Sequence, residues 1–227
     1  MSIEVIIPAY NEARTIAGVV RTARACALVS RVIVVDDGSK DQTAAVAREA
    51  GAEVYSLTPN QGKTAALLRG LEASQALVLV LLDGDLLGLE TGHIEALAEP
   101  VLASRAAMTV GVFHDGRWIT DLSQSLTPFL NGQRGLRREL LGGLSRGTSG
   151  RYAADTLLSL YARRSGAKVL RIRLTGLTHV MKEEKVGWRR GLTARLVMFW
   201  QVFTALFIPF PPENKAAGKA QRTTNKT

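Results

Sequence analysis

A chain of 227 residues, 46% of them hydrophobic, can bury the core of one full domain. Its single cysteine, Cys26, excludes an internal disulfide framework and fits a reducing compartment. The net charge of +9 is uneven, with 8 Lys/Arg against 13 Asp/Glu in residues 1–100 (−5) and 21 against 7 in residues 101–227 (+14), so the second half asks for an anionic partner.

The opening S-I-E-V-I-I-P lacks the basic n-region and cleavable apolar run of a signal peptide. It reads as a strand over 3–8, and the expected location is cytoplasmic. Asn11 is placed to cap a helix over 11–25, and R-V-I-V-V-D-D (31–37) is a second apolar strand. Asp41 is expected to cap a helix over 42–50. A third strand at 52–57, a turn at 60–64, a helix at 65–74 and a fourth strand at 77–82 follow. Strands this apolar, alternating with helices, predict an α/β fold whose mostly parallel central sheet is covered on both faces.

The second half is less regular. A helix is expected over 92–105, a strand over 108–113, a turn at 114–118, and a loop and helix over 131–141 carrying Arg134, Arg137 and Arg138. A helix over 152–165, closed by Gly166, precedes a strand over 167–174. The apolar stretch 192–210 follows Lys182, Lys185, Arg189 and Arg190. Its uncharged part, 196–210, is shorter than the roughly 20 residues of a spanning helix. It reads as a homodimer interface, a membrane-surface helix or a core-covering helix. The basic residues lack the interleaved aromatics of a single-strand binder, so nucleic acid is not the expected partner.

The first half directs its polar residues to one rim. In parallel sheets ligands sit outside the carboxyl ends of the strands. There stand Pro8-Ala9-Tyr10, Asp36-Asp37-Gly38 and Asp83-Gly84-Asp85. Six apolar residues, Leu77 to Leu82, deliver the last pair of carboxylates, each of which costs several kcal/mol to desolvate unless a cation or donors receive it. The pair therefore reads as a cation or charged-substrate site, against the plainer alternative of an acidic turn.

Four motifs in this order, I-P-A-Y-N-E-A (7–13), V-I-V-V-D-D-G-S-K-D-Q-T (32–43), N-Q-G-K-T-A-A-L (60–67) and L-L-D-G-D (81–85), resemble the family-2-like nucleotide-sugar glycosyltransferases of the GT-A fold. G-Q-R-G-L-R-R-E-L-L (132–141), G-R-Y-A-A-D-T-L-L (150–158) and T-H-V-M-K (178–182) follow the plan more loosely, in a layout most similar to the glucosyl-3-phosphoglycerate synthase type. The resemblance implies a single Rossmann-like GT-A domain over 1–187. Residues 1–90 would form its nucleotide-sugar half and 91–187 its acceptor half, followed by an apolar C-terminal helix (188–212) and a disordered basic tail (213–227).

It also implies a hexosyltransferase that uses Mg²⁺ or Mn²⁺, a UDP- or GDP-linked sugar and a small phosphorylated or carboxylate acceptor. Pro8, Ala9, Tyr10 and Glu12 would shape the base and ribose pocket, with Asp36 or Asp37 accepting from the nucleoside. Lys63 would meet the phosphates as a point charge. Asp83 and Gly84 would contact the nucleotide sugar, and Asp85 and His179 would ligate the ion. Asp155 would be the general base of an inverting enzyme or hold sugar hydroxyls in a retaining one. Gly132 and Arg134 would meet the acceptor. His93 and His114 read as surface or helix-face residues. Two alternatives stay open: a polyprenyl-phosphate glycosyltransferase at the membrane surface, and a non-catalytic nucleotide-sugar-binding module.

Overall fold

The computed structural model describes residues 2–113, 132–143 and 154–179. Its first unit alternates strand and helix: β1 (Ile3–Ala9), α1 (Ile16–Ala25), β2 (Val29–Asp36), α2 (Thr43–Glu49), β3 (Glu53–Ser56), α3 (Lys63–Ala73) and β4 (Val78–Leu81). Then come a two-residue β5 (Leu86–Leu87), α4 (Thr91–Leu102), β6 (Met108–Phe113), β7 (Arg134–Arg137), α5 (Ala154–Arg164), β8 (Val169–Leu174) and β9 (Thr178–His179). Seven strands make one sheet in the order β3-β2-β1-β4-β7-β6-β8. All neighbours are parallel except β7, which runs antiparallel to both β4 and β6. The fold class is the expected one.

The double-sided apolarity of the strands is explained by what covers them. Alternate residues of β1 and β4 face opposite ways. Val5, Ile7, Val78 and Val80 pack with Val19 and Val20 of α1 and Leu97 and Val101 of α4. Ile6, Leu79 and Leu81 pack with Leu67 of α3 and with Leu158 and Ala162 of α5. Cys26 is buried at the end of α1, and that burial pushes its thiol pKa up, with Glu95 adding to the shift.

Two local expectations are corrected. Asn11 does not cap α1, which begins five residues later with Thr15 at its N-cap. Asn11 instead takes a left-handed φ of 57°, which asparagine tolerates, and clamps the next loop: its N–H donates to Ser39 Oγ (2.9 Å) and its Oδ1 accepts from Lys40 N–H (2.8 Å). R-G-L-R is a strand, β7, inside the loop and helix expected over 131–141, of which, among the described residues, only Arg138–Gly143 is helical, as a 3-10 turn. Nothing in its composition announces a strand; pairing on both edges makes it one. Gly135 lets it pass beneath α4, since a Cβ there would overlap the Leu97 carbonyl oxygen.

That correction scatters the three arginines. Arg134 is fully buried, donating to Ser159 Oγ (2.8 Å) and lying 3.7 Å from Met108 Sδ. Arg137 donates to Ser104 Oγ (2.7 Å), and Arg138 donates to the Leu71 and Ser74 carbonyls at the end of α3. None of them stands open as an acceptor-binding fork. The turn at 114–118 with His114, the apolar stretch 192–210 and the tail 213–227 lie outside the described residues. Among the described residues, no helix is long and apolar enough to cross a membrane.

Candidate active site

The rim at the carboxyl ends of β1, β2 and β4 is knitted by hydrogen bonds between loops far apart in sequence. Asp37 N–H donates to Ala9 O (2.8 Å), tying the end of β2 to the end of β1. Glu12 N–H donates to Thr43 Oγ1 (2.8 Å). Thr15 Oγ1 donates to Gly84 O (2.8 Å), which docks the D-G-D turn onto the A-Y-N-E-A-R-T segment. Gly84 packs closely here: a Cβ there would meet Ala9 Cβ and Ile16 Cδ1 at 3.4 Å, in van der Waals contact. Pro8 and Ala9 are buried in β1, Glu12 is half-buried, and Tyr10 stands exposed on the rim at 43%.

The acidic pair after β2 works on the protein itself. Asp37 is buried, with Oδ1 accepting from Gln61 N–H and Oδ2 from Gly62 N–H, both at 2.8 Å. Its backbone oxygen accepts from Asn60 Nδ2 (2.8 Å). Asp37 therefore shapes the N-Q-G-K turn, where Gly62 takes φ 90° and α3 begins. Asp36 Oδ1 accepts from Ser39 N–H (3.3 Å). Both oxygens of Asp37 and Oδ1 of Asp36 accept from backbone amides, so the pair also positions the loops of this rim.

Asp41 is not the N-cap of α2, a position held by Gln42, but it braces two segments from one residue further out. Its Oδ1 accepts from Thr43 N–H (3.0 Å) and from the Thr43 hydroxyl, which secures the start of α2, and its Oδ2 accepts from Ala13 N–H (3.2 Å). Burial opposes ionisation of this carboxyl, but those donors outweigh it and hold the pKa below its ordinary 3.8. Asp41→Ala is expected to cost about 1 kcal/mol near neutrality, read from the urea midpoint. A depressed folded pKa stabilises above the unfolded value and is lost as pH falls through the folded one. The gap between variant and wild type should therefore stay level above about pH 5 and close below about pH 4.

The two aspartates of D-G-D have separate surroundings. Asp83 Oδ1 pairs with Lys63 Nζ at 2.7 Å, and Asp83 Oδ2 accepts from Gln133 Nε2 at 2.9 Å. Lys63, expected to project at phosphates, sits at the first position of α3 with its charge set against Asp83. The β4–β7 register pairs Leu81 with Arg134, and its continuation sets Gly132 opposite Asp83. A Cβ on Gly132 would run into the Asp83 carboxylate, so Gly132 belongs to the aspartate's seat. Asp85 is half-buried at the other side of Gly84, immediately before β5.

Strand pairing brings one distant residue back to the same region. β5 pairs antiparallel with β9, in a register that sets Leu86 against His179. A strand about 65 residues beyond β6 thus returns to the residue following Asp85. Asp155 lies in the first turn of α5, one turn before Ser159, whose hydroxyl meets Arg134 next to Gln133. His93 is more than a helix-face residue: its Nδ1 accepts from Glu90 N–H (3.1 Å) to cap α4, and its Nε2 lies 3.0 Å from Thr175 O. Reasoning from sequence missed Gln133, Thr15 and Thr43. Only the strand register reveals the first, and only loop packing the other two.

The model of glycosyl transferase family 2 matches residues 4–154. Residues of this chain are 32% identical over 122 positions to a glucosyl-3-phosphoglycerate synthase of Mycolicibacterium smegmatis, covering 50% of this chain and 40% of that protein. They are 35% identical over 94 positions to an undecaprenyl-phosphate 4-deoxy-4-formamido-L-arabinose transferase of Pseudomonas fluorescens, covering 37% and 28%. The aligned residues thus span less than half the length of these relatives. Among solved structures, glucosyl-3-phosphoglycerate synthase from Mycobacterium tuberculosis in complex with Mn²⁺, UDP and glucosyl-3-phosphoglycerate superposes with a TM-score of 0.71 at 26% identity, covering 92% of this chain and 81% of that one.

Proposed function

This chain belongs to glycosyl transferase family 2, and from that membership we propose that it moves a hexose from a UDP- or GDP-linked sugar to a small phosphorylated acceptor. One observation carries the reading. The D-G-D turn is docked on the A-Y-N-E segment, Asp83 is held between Lys63 and Gln133, and Asp85 is left beside the strand pairing that returns His179.

The donor set suits a divalent cation shared with a substrate. Among the described residues no three His, Cys, Asp or Glu gather into a ready-made metal cage. Asp85 and His179 would supply the protein's share, with diphosphate oxygens completing the shell, as Mg²⁺ and Mn²⁺ accept readily. Such an ion, when bound, offsets charge on the departing diphosphate. The remaining work falls to the chain. Ala9, Tyr10 and Glu12 line the base and ribose, and Asp37 fixes the turn that presents Lys63. Lys63 and Gln133 hold Asp83 in place, and Asp155 takes the acceptor's proton or holds a sugar hydroxyl.

An anionic acceptor is supported by the +14 of residues 101–227 and by the solved complex of a similar enzyme with glucosyl-3-phosphoglycerate. Sugar-nucleotide hydrolysis with Mn²⁺ or Mg²⁺, scored across a donor panel with and without 3-phosphoglycerate, tests the proposal. Turnover of one UDP- or GDP-sugar, redirected to a glycosylated phosphoglycerate, is the expected result; nucleotide binding without any turnover would sink it. The likeness to an undecaprenyl-phosphate transferase, with the basic flank and apolar stretch 182–210, favours a polyprenyl phosphate as second reading. That reading requires the protein to sediment with membranes and to leave them only when residues 192–210 are removed.

A further inference from the structure

We propose that Gln133 is a specificity-determining residue whose side-chain oxygen receives a hydroxyl of the donor's sugar. The side chain is fully buried, and its Nε2 donates to Asp83 Oδ2 at 2.9 Å. That bond fixes the orientation of the amide, because the opposite assignment would set two acceptors against each other. The other end, Oε1, is buried with no hydrogen-bond partner among the described residues. A buried amide oxygen without a donor is costly, and native proteins keep few of them. Here the orphan lies on the same planar amide that orients the D-G-D carboxylate, so the missing donor belongs to whatever Asp83 serves.

The order of strands says which part of the ligand that is. The inference rests on the nucleotide-sugar reading above. The A-Y-N-E and D-D-G-S loops that would receive the nucleoside follow β1 and β2, and the diphosphate anchor Asp85 follows β4. β7 lies on the far side of β4 from β1 and β2. A nucleotide sugar is linear, running base, ribose, diphosphate, sugar. Laid along this rim from β2 to β7, it reaches Gln133 with its sugar. A sugar hydroxyl both donates and accepts, so it can satisfy Oε1 while approaching Asp83. A site built to hydrogen-bond a hydroxyl rejects analogues lacking it, because the buried partner is then left unpaired.

The test compares Gln133→Met, which keeps the length and apolar fit of the side chain, with the wild-type full-length chain by calorimetry in Mn²⁺. The titrants are UDP with UDP-glucose, and GDP with GDP-glucose. The variant, its fold checked by an unchanged circular dichroism spectrum, should lose about tenfold more affinity for the sugar conjugate than for the bare diphosphate. On the wild type, one of the 2-, 3-, 4- and 6-deoxy forms of the conjugate should show the same loss, and that form should lose nothing further on Gln133→Met. Equal weakening of diphosphate and conjugate would overturn the inference, since Gln133 would then act only by holding Asp83. So would no weakening of the conjugate. A wild type that binds neither pair would bring down the donor reading and this inference together.

Discussion

Asp85→Ala should erase the metal-dependent part of nucleotide binding and lower kcat/KM on the order of 10²- to 10³-fold, the loss seen when a preorganised group facing developing charge is removed. The neighbouring aspartate cannot take over. Asp83 has one oxygen on Lys63 and the other on Gln133, and moving it toward an ion would break both contacts. With no cluster of three ligating groups among the described residues, the loss of Asp85 would leave an ion to phosphate, water and at most one histidine. UDP titrated with and without Mn²⁺ gives the readout: the wild type should tighten with the ion and the variant should not. Asp41→Ala is the matched control, since it removes a carboxylate engaged only with Thr43 and Ala13 and should keep the metal response. A metal response undiminished in Asp85→Ala would show that the cation, if any, sits elsewhere.

The largest expected effect on stability is at Gly135, in the middle of β7. Its N–H donates to Thr109 Oγ1 (2.9 Å), and that hydroxyl donates to Leu97 O (2.7 Å), so strand β7, strand β6 and helix α4 meet on one small residue. A Cβ at 135 would overlap the Leu97 carbonyl oxygen and lie 2.7 Å from Thr109 Oγ1. Backbone cannot rotate away as a side chain can, so relief requires α4 to lift from the sheet or β7 to slip. Gly135→Ala should cost about 3 kcal/mol, at the upper end of overpacking penalties, and lower Tm by roughly 10 °C. Gly18→Ala should do the reverse. Gly18 lies in α1 with nothing near its missing side chain, so alanine there is expected to add about 0.5–1 kcal/mol. Paired thermal melts check both, and a Gly135→Ala protein as stable as Gly18→Ala would refute the close packing of α4 on β7.

Much of the first ninety residues was legible without coordinates. β1, β2 and β4 are apolar on both faces over Val5–Ile7, Val32–Val35 and Val78–Leu81 because helices cover both sides, and that pattern survives in a single sequence. The strand ends with their Asp, Gly and Asn residues mark the rim for the same reason: a covered sheet leaves only its edges for polar chemistry. D-G-D, A-Y-N-E and N-Q-G-K were therefore found in the right place relative to one another. The roles within them were less legible. Nothing local distinguishes an aspartate that would bind a nucleoside from one that folds a turn, and Asp37 does the second.

The sequence by itself determined that this chain carries a doubly covered α/β sheet with an acidic rim, because burial periodicity and turn chemistry are written locally. Only the tertiary structure decided which residues share that rim. R-G-L-R became a strand because β4 and β6 each offered it an unpaired edge, and that insertion buried Arg134, parted it from Arg137 and Arg138, and set Gly132 and Gln133 against Asp83. The two-residue pairing of β5 with β9 likewise drew His179 beside Leu86. Strand register is an energy shared between segments about 25 to 93 residues apart, and no local window of sequence contains both partners.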